Sequence, residues 1–153
     1  MDYSEIIPDR LWIGAAPSKA DLSELRDKLG PELIIMDLTR NPEEKNWCQE
    51  LEIDYEDRIP EVPESNNPVS LSRLKIVSAI IGDNIDSGRK VVIHCSKGKG
   101  RSPTCAAAYL IHTGMSVTDA KNAVASKRPV WLGADGRYVI VLEDLGKIMD
   151  MTR

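Results

Sequence analysis

Residues that could carry chemistry are concentrated in the segment from Val91 to Thr104, which reads VVIHCSKGKGRSPT. An apolar run of strand length leads to Cys95, and Arg101 follows six residues later at the expected start of a helix. A cysteine thiolate is a strong nucleophile, and a guanidinium can bind two phosphate oxygens at once. This pair of residue types therefore suits attack on a bound phosphate group.

We call residues Cys95 to Arg101 the cysteine loop, and its two glycines explain how it could bind an anion. Gly98 and Gly100 let the backbone turn sharply, so that successive N–H groups can point toward one place. The helix that follows adds the positive end of its dipole. The same field favours a thiolate, so we expect a lowered pKa for Cys95. The predicted anion-binding residues are Ser96, Lys97, Gly98, Lys99, Gly100 and Arg101.

Two neighbours of the loop complete the predicted catalytic group. The hydroxyl of Ser102 can hydrogen-bond the cysteine sulfur and help it leave when water attacks a phospho-cysteine. His94, directly before Cys95, is expected to orient the loop rather than to act as a base. A single cysteine after a strand is ordinarily a core residue, and a single glycine-rich turn is ordinarily only a turn. The specific signal is the combination of strand, HC, two glycines, Arg and a hydroxyl residue.

The sequence HCSKGKGRS matches the pattern HCxxGxxR[ST] and resembles the signature of the protein-tyrosine phosphatase superfamily. The chain looks like a small, atypical dual-specificity phosphatase, because IIPDRLWIGAAPS, LIIMDLTR and AAAYLIHTGMSVTDAKNAVASKRP resemble further segments of that family. The resemblance implies that Cys95 forms a phospho-cysteine, that Arg101 holds the phosphoryl oxygens and that Ser102 assists hydrolysis. It implies no metal and no cofactor.

The resemblance also implies a general acid on a separate loop, and here the sequence departs from the family pattern. Where the family has Pro-Asp, this chain has Pro63-Glu64 in the segment VPESNNP. We take Glu64 as the predicted general acid, with Glu61 and Asp57 as rivals. A glutamate can protonate a leaving oxygen as an aspartate does, but its extra methylene shifts the carboxyl group by about one bond.

Several charged side chains could have either a functional or a structural role. Lys97 and Lys99 could favour substrates with more than one phosphate, and a lysine at the position of Lys99 resembles lipid-directed family members, but a solvated loop edge is the favoured interpretation. Arg128-Pro129 resembles a family element behind the phosphate loop, and Arg128 is expected to cap or brace a helix end rather than to contact substrate. Asp37 and Arg40 are expected to form local bonds within their loop.

The cysteines and histidines argue against a metal site and for a reducing compartment. Cys48, Cys95 and Cys105 form no CxxC pair, and the two histidines belong to no zinc-ligand pattern. Free thiols point to a cytoplasmic protein. Either Cys48 or Cys105 could trap an oxidised Cys95 as a disulfide, although we expect both to be core thiols.

Composition and charge limit the partners. The net charge of −4 and a pI near 5.2 argue against a general nucleic-acid coat and against a polybasic membrane patch. The longest apolar stretch, Cys105 to Ile111, is far too short to cross a bilayer. We therefore expect no membrane insertion and regard nucleic acid as an unlikely partner, while the oligomeric state stays open.

Alternating strand and helix patterns predict an α/β fold with a central, mostly parallel sheet of four to five strands flanked by helices. The 153 residues contain no visible repeat or linker, so a single catalytic domain of residues 1–153 is expected. Strands are predicted at Arg10 to Gly14, Glu32 to Leu38, residues 51–55 and Lys90 to His94, and helices at Lys19 to Leu29, Glu43 to Glu50, Ser70 to Ser87, Pro103 to His112, from Ser116 onward, and at Tyr138 to Met149.

The resulting functional hypothesis is two-step hydrolysis of phosphate monoesters, with phosphotyrosine in proteins first and phosphoserine or phosphothreonine tolerated. One alternative is a phosphatase of phosphoinositides or RNA 5′ ends. Another is a binding module that holds phosphorylated partners without turnover, which the presence of both Cys95 and Arg101 disfavours. Sulfur transfer of the rhodanese kind also uses a loop cysteine, but it does not need an arginine followed by Ser102.

Overall fold

A computed structural model of the chain describes residues 1–62, 69–131 and 137–151, with side chains described from residue 141 onward in the last range. Five strands and six helices are described within these ranges. The strands are β1 (Tyr3–Ile7), β2 (Leu11–Gly14), β3 (Leu33–Asp37), β4 (Asp54–Tyr55) and β5 (Lys90–His94). The helices are α1 (Lys19–Leu29), α2 (Pro42–Glu50), α3 (Leu71–Asp86), α4 (Arg101–His112), α5 (Val117–Lys127) and α6 (Arg137–Met151).

The strands form one sheet in the order β1-β2-β5-β3-β4, in which β1 is antiparallel to β2 and the other neighbours are parallel. The expected α/β fold with a mostly parallel sheet is confirmed. The central strand β5 pairs with both β2 and β3, and its last residue His94 lies opposite Gly14 on one side and Asp37 on the other. The carboxyl ends of three strands therefore meet at one edge of the sheet, directly where the cysteine loop begins.

The strand boundaries differ from the sequence prediction at both edges of the sheet. The prediction missed β1 because its residues YSEII are mostly half-exposed and lack a clear alternation. At the other edge, the predicted strand of residues 51–55 shortens to the two residues of β4. Edge strands receive little burial, and burial is the signal by which a strand is recognised in a sequence.

The helix beginnings follow from local sequence. Ser18 and Asp21 form a reciprocal capping box at α1, and the hydroxyl of Ser116 accepts the N–H of Asp119 at α5, as the sequence predicted for that helix. Helix α4 begins at Arg101, two residues before the predicted Pro103. A proline is compatible with the first turn because its missing N–H would have no intrahelical partner there.

The sheet separates two apolar clusters. On β5, Val91 and Ile93 belong to the larger cluster, which also receives α3, α4, α5 and α6, whereas Val92 belongs to the smaller cluster with α1 and α2. Side chains that alternate in this way face opposite sides of a strand. Cys95 and Cys105 belong to the larger cluster and Cys48 to the smaller one. None of the helices within the described ranges is both long and apolar enough to cross a membrane.

Candidate active site

The cysteine loop connects β5 to α4 and is tied to the end of β2. The N–H of Cys95 donates to the carbonyl of Gly14 at 3.2 Å, and the N–H of Ala16 donates to the carbonyl of Ser96 at 2.9 Å. Because β2 and β5 are parallel neighbours, their carboxyl ends hold the start of the loop in place. Most of the predicted site residues therefore come together at the sheet edge where parallel strands usually form binding sites.

Gly98 is the position where the loop requires glycine. Its φ is +68°, a conformation that other residues adopt rarely. A Cβ atom there would lie 2.5 Å from Nη2 of Arg128, 2.7 Å from the carbonyl carbon of Gly14 and 2.8 Å from the N atom of Ala15. Two of these neighbours are backbone, so no side-chain rotation would remove the contact. The glycine chosen from the sequence for its turn is thus also required for packing.

Cys95 sits at the bottom of this loop with 2% of its surface exposed. Its Sγ lies 3.4 Å from Oγ of Ser102. Burial raises the pKa of a thiol, but hydrogen bonds from the Ser102 side chain and from the backbone at Ser102 and Gly98, together with the charge of Arg101, outweigh it and lower the pKa of Cys95. This is the direction expected from the sequence, and it favours the nucleophilic thiolate.

Ser102 lies between the sulfur and the sheet. Its Oγ donates to the carbonyl of Gly14 at 3.2 Å and accepts the hydrogen of the Cys95 thiol at 3.4 Å. The hydroxyl is fully buried, so no bulk water competes for its hydrogen bond. When the sulfur is a thiolate, the hydroxyl can rotate its single hydrogen from Gly14 to the sulfur and stabilise the negative charge there.

Arg101 lies at the far end of the loop, with its guanidinium held on two sides. Nη1 donates to the carbonyl of Val62 at 2.8 Å, and Nη2 donates to Oγ of Ser96 at 3.0 Å. The side chain is only 7% exposed. These bonds fix the plane of the guanidinium beside the loop, which is the arrangement that a two-pronged phosphate contact needs.

Arg128 braces the loop from behind, the place that the family resemblance implied for it, and does more than cap a helix end. Its backbone N–H donates to the carbonyl of Val124 and so caps the end of α5, as expected. Its side chain extends away from the helix to the cysteine loop. Nε donates to the carbonyl of Gly98 at 2.8 Å, and the two terminal nitrogens bind the carboxylate of Asp2 at 2.7 and 2.9 Å. The hydrogen bond from Arg128 lowers the pKa of Asp2. Nothing in the sequence around Asp2 distinguishes it from an ordinary surface aspartate.

His94 is fully buried and contacts a buried carboxylate that the sequence also did not single out. Its Nδ1 lies 3.1 Å from the carbonyl of Cys95, and its Nε2 lies 2.5 Å from Oε2 of Glu44 in α2 and 3.7 Å from Oδ1 of Asp37. The ring is remote from solvent and engaged on both nitrogens. This geometry suits the predicted role of orienting the loop.

The carboxylate of Asp37 organises the chain between β3 and α2. It accepts hydrogen bonds from the backbone of Thr39 and Asn41, from the Thr39 hydroxyl and from the hydroxyl of Tyr55. Burial raises its pKa, but the positive charge at His94 and these hydrogen bonds outweigh burial, so the pKa is lowered. The local bonds expected for Asp37 are present, and the contact with His94 is additional.

Asp37, Glu44 and His94 are the one group within the described ranges whose ligand atoms could surround a metal ion, all lying within 4.8 Å of one another. Two ligands of a tetrahedral zinc with bonds of about 2.0 Å lie roughly 3.3 Å apart. The 2.5 Å between Nε2 of His94 and Oε2 of Glu44 is instead a hydrogen-bond distance. The atoms are thus arranged around a proton, and the cluster does not fit an ion.

The candidate general acids differ in their surroundings. Glu64 lies in residues 63–68, outside the described residues, so its place relative to Cys95 stays a prediction. Asp57 accepts hydrogen bonds from Lys45 and Arg40, which lower its pKa and keep it ionised. An acid catalyst must carry a proton, so Asp57 is poorly suited to that role. Glu61 is exposed directly before Val62, the residue bonded to Arg101.

The remaining loop and cysteine residues have simple environments. Lys97 and Lys99 are exposed on the cysteine loop. Cys48 and Cys105 are buried free thiols, and burial raises the pKa of Cys48 to about 12 and that of Cys105 further still. Both therefore have the properties of the core thiols that the sequence led us to expect.

Comparisons with known proteins show similarity in sequence. Residues 11–138 match the family model of the dual specificity phosphatase catalytic domain. The chain is 28% identical over 153 residues to phosphatidylinositol 3,4,5-trisphosphate 3-phosphatase and protein-tyrosine-phosphatase PTEN1 of Arabidopsis thaliana, covering 91% of this chain and 37% of that protein. It spans about half or less of the length of the curated relatives that it matches.

Solved structures share the fold over nearly the whole chain. The crystal structure of Tk-PTP in the active form is similar with a TM-score of 0.80 at 22% identity, covering 95% of this chain and 97% of that one. The crystal structure of PTPMT1 in complex with PI(5)P is similar with a TM-score of 0.77 at 24% identity, covering 98% and 97%. At these identities the likeness shows a common architecture.

Proposed function

The chain belongs to the family of dual specificity phosphatase catalytic domains, which are cysteine-dependent phosphatases, and on this premise we propose that it hydrolyses phosphate monoesters through a phospho-cysteine on Cys95. The observation that carries the proposal is the meeting of a thiol of lowered pKa and a fixed guanidinium within one seven-residue loop, Cys95 to Arg101. A binding module without turnover would have no use for an ionised thiol.

In the first step, the backbone N–H groups of the cysteine loop and the guanidinium of Arg101 bind the phosphate oxygens. The thiolate of Cys95 attacks phosphorus, an S–P bond forms, and the bond to the leaving oxygen breaks. That oxygen takes a proton from the general acid. Arg101 stabilises the charge on the equatorial oxygens, because a planar fork can bind two of them together.

In the second step, water attacks phosphorus and the S–P bond breaks, which releases inorganic phosphate and returns Cys95 to a thiolate. The general acid, now a carboxylate, accepts a proton from the attacking water. The hydroxyl of Ser102 supports the departing sulfur at the contact that is 3.4 Å long in this structure. No metal ion or cofactor is needed in this proposed sequence.

Glu64 is the proposed general acid, and the support for it is the position of Val62. The carbonyl of Val62 is bonded to Arg101, so the chain enters residues 63–68 beside the cysteine loop. Glu64 is two residues after Val62, and two residues of chain span at most about 7 Å. The backbone of Glu64 therefore cannot be further than this from that of Val62. Asp57, in contrast, is held by Lys45 and Arg40.

Phosphotyrosine in proteins is the first proposed substrate, with phosphoserine and phosphothreonine tolerated. Phosphoinositides are the second candidate, because Lys97 and Lys99 are exposed on the cysteine loop and could bind additional phosphates. The similarity to a protein whose name includes phosphatidylinositol 3,4,5-trisphosphate 3-phosphatase supports the same candidate. A thiolate nucleophile must stay reduced, so we propose a reducing compartment such as the cytoplasm.

The test is a rate comparison across phosphotyrosine and phosphoserine peptides, phosphoinositides and triphosphorylated RNA, combined with rapid acid quenching to trap a phospho-cysteine. The expected result is a labelled phosphate on Cys95 and turnover that is lost in Cys95→Ser, while the variant still binds inorganic phosphate. Absence of turnover on every substrate, or turnover by Cys95→Ser near the parent rate, would contradict the proposal.

A further inference from the structure

The hydrogen bonds of His94 require a proton between its ring and Glu44. A backbone carbonyl only accepts hydrogen bonds, so the contact of 3.1 Å between Nδ1 and the carbonyl of Cys95 means that Nδ1 carries a hydrogen. The contact of 2.5 Å between Nε2 and Oε2 of Glu44 then needs one more proton. That proton belongs either to an imidazolium facing a carboxylate or to a carboxylic acid facing a neutral ring.

The surroundings favour the imidazolium. Glu44 lies in the first turn of α2, where the positive end of the helix dipole stabilises a carboxylate. A second carboxylate, Asp37 from β3, lies 3.7 Å from the same nitrogen. The ring is fully buried, so these two acids act on it with little screening by water.

The pKa of His94 is shifted in the direction that favours the imidazolium. Burial alone would lower the pKa of His94, but the hydrogen bond and charge of Glu44 and the charge of Asp37 outweigh it, and the pKa is raised. Burial also raises the pKa of Glu44 despite the opposing effect of His94. That shift alone would favour the carboxylic acid, whereas the second carboxylate, Asp37, favours the charged ring. The other titratable groups near these acids are Tyr55, which donates to Asp37, and Cys48, whose pKa is raised and which stays neutral. Both shifts favour an extra proton held between the ring and Glu44.

We propose that Glu44 is a positioning residue for the cysteine loop, because it keeps His94 protonated on both nitrogens and thereby fixes the carbonyl of Cys95. This proposal rests on the proposed function and identifies what sets the geometry of that site. A trans peptide directs its C=O and its N–H to opposite sides. Holding the Cys95 carbonyl on His94 therefore aims the N–H of Ser96 away from the ring, toward the interior of the loop where a phosphate would bind.

The anchoring of Glu44 is itself built into the fold. Asn41 caps α2, and its N–H donates to Asp37 at 2.8 Å, so the first turn of α2 is attached to the end of β3. The register of the sheet places Asp37 directly beside His94. The carboxylate of Glu44 thus reaches the histidine from a helix whose starting point is fixed by the neighbouring strand.

Nitrogen NMR of labelled histidine tests the protonation in the parent protein. An ordinary histidine has a pKa of about 6.5. At pH 7.5 to 8 (about one unit or more above that value), we expect both ring nitrogens of His94 to be protonated. A neutral His94 ring in the parent protein would overturn the proposal without any variant.

Glu44→Gln then tests the positioning, with Glu43→Gln as the matched control because Glu43 is its exposed neighbour in the same helical turn. In Glu44→Gln we expect His94 to lose its second ring proton at this pH and kcat/KM for an aryl phosphate to fall by about 10- to 100-fold, as a displacement of about 1 Å can produce. Glu43→Gln should match the parent in both measurements. Parent-like kcat/KM in a folded Glu44→Gln protein would contradict the proposal.

A third measurement separates this proposal from the proposed function. In a Cys95→Ser background, adding Glu44→Gln should weaken binding of inorganic phosphate by about tenfold, since the N–H of Ser96 is no longer aimed. This result does not depend on turnover. If the parent protein lacks phosphatase activity, the proposed function fails, while the ring protonation and the phosphate affinity still decide the role of Glu44.

Discussion

Arg101 and Val62 are 39 residues apart in the chain, and Nη1 of the arginine donates to the carbonyl of Val62 at 2.8 Å. The arginine belongs to the cysteine loop, and Val62 immediately precedes the segment that contains Glu64. One hydrogen bond therefore joins the proposed phosphate cradle to the chain that would carry the general acid. Because a backbone carbonyl is the acceptor, the contact depends on the donor geometry of the arginine.

The first prediction follows from that geometry. Arg101→Lys retains the charge but has one terminal nitrogen, which cannot reach Val62, Ser96 and two phosphate oxygens together. We expect kcat/KM to fall by about 10² or more, which corresponds to roughly 3 kcal/mol of transition-state stabilisation. Steady-state kinetics check this, with the exposed Arg73→Lys as control. An unchanged rate would mean that the guanidinium is not the phosphate clamp.

Alkylation tests the lowered pKa of Cys95. A thiol with a lowered pKa is ionised at a lower pH than an ordinary thiol. The reactivity of Cys95 should therefore rise as the pH passes its lowered pKa and reach a plateau below 9.0, the unperturbed thiol pKa. Iodoacetate below pH 7 should label Cys95 well before Cys48 and Cys105, whose pKa values burial raises. Mass spectrometry of peptides gives the rates, and inorganic phosphate should protect Cys95. Equal labelling of all three would contradict the assignment.

Ser102→Ala should uncouple the two proposed steps. Removal of the hydroxyl eliminates a hydrogen bond to the sulfur, so we expect a higher pKa for Cys95 and slower breakdown of the phospho-cysteine. With a good leaving group, stopped-flow measurements should then show a burst of one equivalent of product followed by slow turnover. Ser126→Ala, which removes an exposed hydroxyl from α5, should show parent kinetics.

Three substitutions identify the general acid. Glu64→Gln should lower kcat for phosphoserine peptides, weaken the loss of rate at high pH, and leave aryl phosphates with acidic leaving groups nearly unaffected. The sign follows because an acid catalyst becomes inactive as the pH rises above its pKa. Asp57→Asn should match the parent, since its pKa is already lowered by Lys45 and Arg40. The assignment to Glu64 is wrong if Glu61→Gln shows this pattern and Glu64→Gln does not.

Two glycines allow the packing of the loop to be tested apart from backbone strain. Gly98 and Gly88 both have positive φ, at +68° and +83°, but a Cβ would meet three atoms at Gly98 and nothing within 4 Å at Gly88. Both alanine variants should lose about 1 kcal/mol from the unfavourable φ. Only Gly98→Ala should also lose most of its activity and its affinity for phosphate. Thermal unfolding and phosphate titration separate the two effects.

The sequence was sufficient to predict the parts of the molecule that depend on neighbouring residues. The buried strand before Cys95 and the turn at Gly98 are both determined within a few positions, so pattern alone predicted a strand that leads into a tight turn. The mostly parallel sheet was also predicted, because buried strands alternate with amphipathic helices along the chain.

The residues that the sequence did not reveal act over long distances. Glu44 looks like an ordinary acidic residue at a helix start, and only the fold brings it to His94. Asp2 likewise gains its role from Arg128, which is 126 residues away. Glu64 is the reverse case: the family pattern suggested it from the sequence, but it lies outside the described residues, so no described tertiary contact supports it. Spacing reveals a loop, whereas the supports of that loop depend on tertiary contacts.

The hydrogen bonds that support the cysteine loop join residues far apart in the sequence, and this affects how the protein folds. Ser102 bonds to Gly14 across 88 residues, and Arg128 bonds to Gly98 across 30. Contacts of long range form slowly, because closing the intervening chain costs entropy before any contact is gained. A fragment with only β5 and α4 would contain the whole signature without its supports. Catalytic activity regained during refolding should therefore report the last, cooperative stage of folding.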